Sequence, residues 1–300
     1  MEPFDKSAGM WDTLRNAAPG RHTGPGPGMD RSYSMDVLKN KQGFICDMDG
    51  VIYHGNKILP GVPEFIRWLQ EEGKKYLFLT NNSGYTPREL HQKLARMGLD
   101  VPEENFYTSA LATAAFLKEQ APGCSAFVIG EAGLLNALYD AGITMNEVNP
   151  DYVVVGEGRT YSLETLTKAT NLVMGGAKLI GANSDVSGPI EDGIAPACRA
   201  LTAPIEMATG TKAYFCGKPN PLMMRTGLRL LACHSGEAVM VGDRMDTDVI
   251  SGMESGMSTV LVLSGVSTTE TLKEYAYRPS AVLNGVGDIV AAAQSRQLSL

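Results

Sequence analysis

The sequence has no excess of basic residues, no CxxC pair and no apolar run long enough to cross a membrane. Its 26 lysines and arginines stand against 33 aspartates and glutamates, so the net charge is −7 and the pI is near 5.2. Because nucleic-acid backbones select basic surfaces, this balance argues against nucleic acid as a partner. A small anionic substrate stays compatible with it, since such a substrate needs only a local positive pocket. A bilayer span needs about 20 apolar residues, so no membrane partner is expected either.

The cysteines are few and scattered. There are five, an odd number, and none forms a closely spaced pair. We interpret them as reduced thiols that mostly fill the core of a cytoplasmic protein. They are Cys46, Cys124, Cys198, Cys216 and Cys233.

The composition is that of a globular protein, with 44% apolar and 20% charged residues. The length of 300 residues allows two domains of ordinary size. Residues 1–35 differ from the rest, because the proline- and glycine-rich stretch 19–28 suits neither a helix nor a central strand. The sequence therefore predicts a disordered tail over residues 1–35.

From about residue 43 onward, predicted strands alternate with predicted helices, which indicates parallel sheets covered on both faces. The pattern of residues that separate the predicted strands and helices changes near residues 122 and 211. We therefore predict an α/β core domain in two parts, 36–121 and 212–300, interrupted by an inserted α/β unit at 122–211. Within and beside that unit, 182–194 is predicted as a loop and Ser109 as a helix cap. The predicted strands after the first one are 75–80, 106–108, 126–130, 152–155, 178–181, 238–243 and 258–264.

The first predicted strand ends in two acids. The apolar run Phe44 to Cys46 leads into Asp47 and Asp49, and Gly50 follows. Side chains two positions apart in a strand point the same way, so both carboxylates would face one small volume. They repel each other there, which calls for a cation or a shared proton. These residues alone are equally compatible with an ordinary turn after a strand.

Polar residues also end three other predicted strands or follow them. In parallel α/β sheets, ligands bind at the carboxyl ends of the strands. Carboxylates suit Mg²⁺, a lysine supplies fixed positive charge, and neutral donors can hold phosphoryl oxygens. Such a set fits phosphoryl transfer, with one carboxylate attacking phosphorus and another protonating the leaving alcohol. The four sets are Asp47 with Asp49, Thr80 with Asn81, Lys218, and Asp243 with Asp248.

These four stretches, in this order, resemble the motifs of the haloacid dehalogenase superfamily, and in detail those of its NagD-like and p-nitrophenylphosphatase-like phosphatases. The resemblance covers about residues 41–289. It implies a Rossmann-like parallel-sheet core with a smaller inserted α/β cap domain. The four stretches are Asp47-Met48-Asp49-Gly50-Val51, Thr80-Asn81-Asn82-Ser83-Gly84, Gly217-Lys218-Pro219-Asn220-Pro221 and Gly242-Asp243-Arg244-Met245-Asp246-Thr247-Asp248.

The resemblance also implies roles for single residues. Asp47 would be the nucleophile and a ligand of Mg²⁺. Asp49 would be the general acid and base, would contact the substrate, and would give its main-chain carbonyl to the metal ion. Asp243 would be a further metal ligand, and Asp248 would orient water or Lys218.

Other positions would hold the substrate. By the same resemblance, Thr80 and Asn81 would bind the phosphoryl group and Lys218 would neutralise it. The segment formed by Arg244, Met245, Asp246 and Thr247 would line the site. The cap would close over the site and set substrate preference. Residues 181–185 are a candidate for leaving-group contacts, although an ordinary strand-to-helix loop fits them equally well.

The activity that the resemblance implies is Mg²⁺-dependent hydrolysis of small phosphomonoesters through an aspartyl-phosphate. The first expected substrates are nucleoside monophosphates such as UMP or GMP. Sugar phosphates, phosphoglycolate and pyridoxal phosphate are the alternatives. Transfer to another acceptor and a non-catalytic phosphate-binding regulatory module are the rival functions, and a homo-oligomer is left open. A module without catalysis has no need of the repelling pair Asp47 and Asp49.

Gly156-Glu157-Gly158 follows a strand but lacks the third glycine of a dinucleotide fingerprint.

Overall fold

The computed structural model describes residues 38 and 40–294, apart from 160, 191 and 192. The predicted tail over residues 1–35 lies outside this range. In chain order, the first part forms β1 (Gly43–Cys46), β2 (Tyr53–His54), β3 (Lys57–Ile58), α1 (Val62–Glu71), β4 (Lys75–Thr80), α2 (Pro87–Arg96), β5 (Phe106–Thr108) and α3 (Ser109–Gln120).

The middle and last parts of the chain continue the alternation. The middle part forms β6 (Ser125–Ile129), α4 (Ala132–Asp140), β7 (Thr144–Met145), β8 (Tyr152–Val155), α5 (Leu163–Met174), β9 (Lys178–Gly181), β10 (Ser187–Ile190), β11 (Gly193–Pro196), α6 (Cys198–Thr209) and β12 (Tyr214–Phe215). The last part forms α7 (Pro221–Leu230), β13 (Ala238–Gly242), α8 (Ile250–Glu254), β14 (Ser258–Val262), β15 (Ala281–Leu283) and α9 (Gly287–Gln294). None of the described helices has the length and apolar character needed to span a bilayer.

The first sheet places the ends of three neighbouring strands side by side. Its order in the described residues is β15–β14–β13–β1–β4–β5, and every neighbouring pair is parallel. In the centre, Cys46 of β1 pairs with Val241 of β13 and with Phe78 of β4. Because the strands run the same way, the residues that follow β1, β4 and β13 meet at one edge. The predicted α/β class with a parallel-sheet core is confirmed.

A second parallel sheet is built from residues 125–215, in the order β12–β9–β8–β6–β7. Along β8, Val153 and Val155 pack with residues of α5, whereas Val154 packs on the opposite face with residues of α4. This alternation is the period of two expected of a strand between two helical layers. The strand β12 pairs with β9 and lies beyond residue 211, the predicted end of the inserted unit. The domain limits themselves remain a prediction.

The core behind β1 is aromatic. The ring of Phe44 lies 6.1 Å from that of Phe65 and 5.5 Å from that of Trp68, both on α1 and both in edge-on contact. The buried residues of α1 fall at spacings of three and four, which gives the helix one apolar face against the sheet. They are Val62, Phe65, Ile66 and Leu69.

Helix starts follow the sequence signals closely. The capping box is confirmed, since the Thr86 side chain accepts from the amide of Glu89 and the Glu89 side chain accepts from the amide of Thr86. The prediction that Ser109 caps α3 was wrong by one residue. Thr108 has the extended backbone of a cap and accepts from the amide of Leu111. The hydroxyl of Ser109 instead donates to the carbonyl oxygen of Asn81.

The predicted loop 182–194 was also wrong in part, because it contains β10 and the start of β11, which pair as an antiparallel hairpin. Val186, Ile190 and Ile194 around this hairpin are exposed. The apolar residues therefore face outward, and the sequence shows no alternation towards a core. The two-residue strands β2, β3, β7 and β12 were missed because they are too short to carry a period.

Candidate active site

Asp47 directly follows β1 and is buried, and its amide donates to the carbonyl oxygen of Val241 at 2.8 Å. The chain then turns tightly at Gly50, where φ is +76°. A Cβ at Gly50 would lie 2.5 Å from Asp243 Oδ2. Glycine is therefore required here by both the left-handed backbone and the closeness of the second acid.

Lys218 is a buried cation at the edge of the first sheet where the residues after β1, β4 and β13 meet, and 2% of its surface is exposed. Its Nζ lies 2.7 Å from Asp47 Oδ1 and 2.7 Å from Asp248 Oδ1. Burial favours the neutral amine, but attraction to Asp248 and Asp47 outweighs it and raises the pKa of Lys218 above its ordinary value. The side chain is therefore a fixed positive charge shared by two acids.

Asp243 and Asp248 form a cluster of three carboxylates with Asp47, in which one oxygen from each residue lies within 4.8 Å of the other two. Asp243 follows β13, and its Oδ2 accepts from the amide of Val266 at 2.7 Å. Its Oδ1 is buried and has no hydrogen-bond partner in the described part of the chain. Asp248 belongs to a π-helical turn, Met245–Val249, and its Oδ2 accepts from the amide of Arg244 at 3.1 Å.

The three carboxylates outnumber the single ammonium. Burial and then repulsion from Asp47 and Asp248 raise the pKa of Asp243 to about 8. Burial, with repulsion from Asp47, raises the pKa of Asp248 to about 6 against the opposing effect of Lys218. Burial raises the pKa of Asp47 as well, although Lys218 opposes the shift. The cluster is therefore short of positive charge.

Asp49 is not part of this cluster, and it is exposed. Desolvation by the surrounding loops raises its pKa, whereas Lys93, His54 and the hydroxyl of Tyr53 oppose the rise. Lys93 Nζ lies 3.8 Å from the centre of the Tyr53 ring, a cation–π contact. Sequence reasoning missed Tyr53 and Lys93, because nothing in the local pattern links residues 40 positions apart.

Thr80 ends β4 and Asn81 follows it, and both residues are buried. The Oδ1 of Asn81 accepts from the amide of Lys218 at 2.7 Å, and its Nδ2 donates to the carbonyl oxygen of Lys218 at 3.1 Å. Asn81 therefore fixes the backbone that carries the lysine. Its Nδ2 also donates to the carboxylate of Asp185, at 3.1 and 3.2 Å.

The predicted lining segment 244–247 is only partly oriented towards the polar groups. Arg244 pairs with Asp246 through two hydrogen bonds, of 3.0 and 2.8 Å, and is attracted by Asp185. Asp246 is exposed and Thr247 is buried. The side chain of Met245 lies in an apolar cluster with Val249, Leu261 and Leu272 rather than among the acids. Its carbonyl oxygen accepts from the hydroxyl of Tyr277 at 2.9 Å.

The sequence and the fold are similar to those of known hydrolases. A model of haloacid dehalogenase-like hydrolases matches residues 44–144, and a HAD-hydrolase-like model matches residues 215–289. A dihydroxyacetone phosphatase of Corynebacterium glutamicum is 48% identical over 82% of this chain and 90% of its own length. The ribonucleotide monophosphatase NagD of Escherichia coli is 43% identical over 84% of this chain and 98% of its own length.

Solved structures agree with these sequence matches. NagD from Escherichia coli superposes with a TM-score of 0.79 at 42% identity, covering 83% of this chain and 98% of its own. A 4-nitrophenylphosphatase from Thermotoga maritima superposes with a TM-score of 0.83 at 35% identity, covering 86% of this chain and 99% of its own.

The class that fold and site define is therefore a hydrolase with a parallel α/β core. This chain belongs to the haloacid dehalogenase-like hydrolase family, in its NagD-like branch, and it is a phosphatase.

Replacing Lys218 by methionine tests the charge balance of the cluster. Lys218→Met leaves Asp47 and Asp248 buried without their cation, so we expect the free energy of unfolding to fall by about 3–5 kcal/mol and phosphatase activity to disappear. Urea denaturation and phosphate release measure the two effects. The double variant Lys218→Met/Asp248→Asn should regain part of the stability but no activity. A single variant as stable as the parent would contradict the account.

Proposed function

We propose that this chain is a Mg²⁺-dependent phosphomonoesterase that works through a phosphorylated Asp47. The observation that supports this most directly is the position of Lys218, 2.7 Å from both Asp47 and Asp248. Beside the same two acids, Asp243 Oδ1 is buried without a hydrogen-bond partner among the described residues. When all three carboxylates are ionised, the single ammonium leaves a local excess of two negative charges, which a dication balances.

The residues present fit Mg²⁺ by their chemistry. Carboxylate oxygens are the ligands that this hard cation prefers, and the partnerless Oδ1 of Asp243 is available to it. Asp47 and Asp243 would hold the ion with the main-chain carbonyl of Asp49, while Asp248 stays with Lys218. When bound, the ion supplies positive charge to the phosphoryl oxygens and keeps the neighbouring acids ionised.

The first chemical step transfers the phosphoryl group to the enzyme. A carboxylate oxygen of Asp47 attacks phosphorus, and the bond between phosphorus and the ester oxygen breaks. Asp49, protonated at this point, gives its proton to the leaving alcohol. Its raised pKa and its exposed position suit that task.

The second step regenerates Asp47. Asp49, now ionised, takes a proton from a water molecule whose oxygen attacks the phosphorus of the aspartyl-phosphate. The bond between phosphorus and the Asp47 oxygen breaks, and inorganic phosphate is released. Thr80, Asn81 and Lys218 would hold the phosphoryl group through both steps, because their donors and charge lie at the same sheet edge.

The substrates that we propose are small phosphomonoesters with neutral, hydroxyl-bearing leaving groups. Ribonucleoside monophosphates and dihydroxyacetone phosphate are the first candidates, since the relatives at 43% and 48% identity are named for these substrates. The staphylococcal relative named as an acid sugar phosphatase, at 38% identity, adds sugar phosphates. Residues 122–211 would act as the cap that selects among them.

We also propose that the enzyme works in the cytoplasm. All five cysteines are free thiols, and four of them are buried. Such thiols are stable in a reducing compartment.

Magnesium should stabilise the protein more at high pH than at low pH. The pKa of Asp243 is about 8 in the metal-free fold against an ordinary value of 3.8. The folded state therefore holds this proton more tightly than the unfolded state, and stability falls as the pH rises between these values. Because Mg²⁺ displaces the proton, we expect its addition to raise the Tm more at pH 8 than at pH 6. An equal or smaller shift at pH 8 would contradict the assignment, and Asp243→Asn should lose the shift.

Replacing the proposed nucleophile should abolish turnover and leave the fold intact. We expect Asp47→Asn to lose more than about a thousandfold in kcat/KM and to stay folded, because Lys218 keeps Asp248 as its partner while one of the repelling carboxylates is removed. The assay is phosphate release from UMP, GMP, dihydroxyacetone phosphate, sugar phosphates, phosphoglycolate and pyridoxal phosphate, with Mg²⁺ and with EDTA. Near-full activity of the variant, or of the parent enzyme in EDTA, would refute the proposal.

A further inference from the structure

Glu157 lies in the loop after β8 of the second sheet, yet it contacts the loop that follows β4 of the first sheet. Its carboxylate accepts hydrogen bonds from the amide of Ser83, at 3.1 Å, and from the hydroxyl of Ser83. In return, the amide of Glu157 donates to the Oγ of Ser83 at 3.1 Å. The two loops, 74 residues apart in the chain, are therefore tied by a reciprocal set of bonds.

Asn183, from the loop after β9, reaches the same carboxylate. Its Nδ2 donates to Glu157 Oε1 and to the carbonyl oxygen of Asn81, with both distances 2.5 Å. Asn183 and Ser83 are fully buried, with no exposed surface. A continuous chain of hydrogen bonds thus runs from Ser83 through Glu157 and Asn183 to Asn81, the residue that fixes the backbone of Lys218.

The packing between these loops is too close for side chains. A Cβ at Gly156 would lie 2.6 Å from the Oγ of Ser83, and a Cβ at Gly133 would lie 2.7 Å from the carbonyl oxygen of Ser83. The amide of Gly133 also donates to the carbonyl oxygen of Gly84 at 3.0 Å. The loop 80–84 is therefore in close contact with the start of α4 and with the loop after β8.

From these contacts we propose that Glu157 is a positioning residue for the loop 80–84. It acts through Ser83 and Asn183, which set the position of Asn81 at the phosphate. A carboxylate suits the task, because it accepts three hydrogen bonds here and charge-assisted bonds are the stronger kind. The inference rests on the proposed role of Thr80 and Asn81 in holding the phosphoryl group.

Two replacements test the charge of the Glu157 side chain and its length separately. Glu157→Gln keeps the length but offers one acceptor and one donor, so an amide group would face the donor of Ser83 or of Asn183. Glu157→Asp keeps the charge but is one methylene shorter. We expect each to raise the KM and the inhibition constant of inorganic phosphate about tenfold, the effect of losing one charge-assisted bond, with a smaller change in kcat.

The control is Glu147→Gln, which removes one negative charge from the same unit. Glu147 is exposed and pairs with Lys168 on the surface. We expect its KM and its phosphate inhibition constant to stay within about twofold of the parent values, as for a surface ion pair.

Ser83→Ala extends the test and keeps it open if a Glu157 variant fails to fold. It should raise the phosphate inhibition constant too, and combined with Glu157→Gln it should add little, because both changes remove the same contact. Additive effects, or Glu157 and Ser83 variants that lower the Tm while KM and phosphate inhibition stay at parent values, would overturn the positioning role. If Asp47→Asn is inactive, either of these results rules out only the positioning role of Glu157, and the proposed phosphatase function is unaffected. Turnover by Asp47→Asn would instead refute the function.

Discussion

A single buried ammonium, that of Lys218, stabilises the cluster formed by Asp47, Asp243 and Asp248. Lys218 bonds to Asp47 from the central strand and to Asp248 from the turn after the neighbouring strand. Asn81 fixes its backbone from the third strand end. Without that charge, three carboxylates within 4.8 Å of one another would lie buried and mutually repelling. The geometry of the edge therefore depends on charge balance as much as on apolar packing.

The arrangement has a thermodynamic consequence for the metal-free protein. Raised pKa values at Asp243 and Asp248 mean that their ionised forms are disfavoured in the fold. The fold therefore loses stability at this cluster, where Asp243 Oδ1 is buried without a hydrogen-bond partner among the described residues. The apolar layers on both faces of the sheet supply the stability that makes this tolerable.

Local signals predicted which acids gather at the carboxyl ends of β1 and β13, and long-range contacts decided what those signals left out. The acids after β1 and β13 follow from apolar runs that end in charge, and the parallel sheet brings them together because both strands run the same way. No local pattern could place Met245 in an apolar cluster, since its neighbours Leu261 and Leu272 come from later in the chain. In the sequence, Glu157 is only the centre of a glycine-flanked triplet, and its partner Ser83 lies 74 residues away. The hairpin at residues 187–196 could not be predicted from the sequence because its apolar residues face outward.

The central claim is that the phosphoryl group passes through Asp47, and chemical trapping tests it most directly. Borohydride reduces an aspartyl-phosphate to homoserine, so rapid quenching of the enzyme during turnover, followed by reduction and peptide mass spectrometry, marks the residue that was phosphorylated. The account predicts homoserine at position 47 in the presence of substrate and none in its absence. Turnover with Asp47 unmodified and another residue reduced, or with no residue reduced at all, would contradict it.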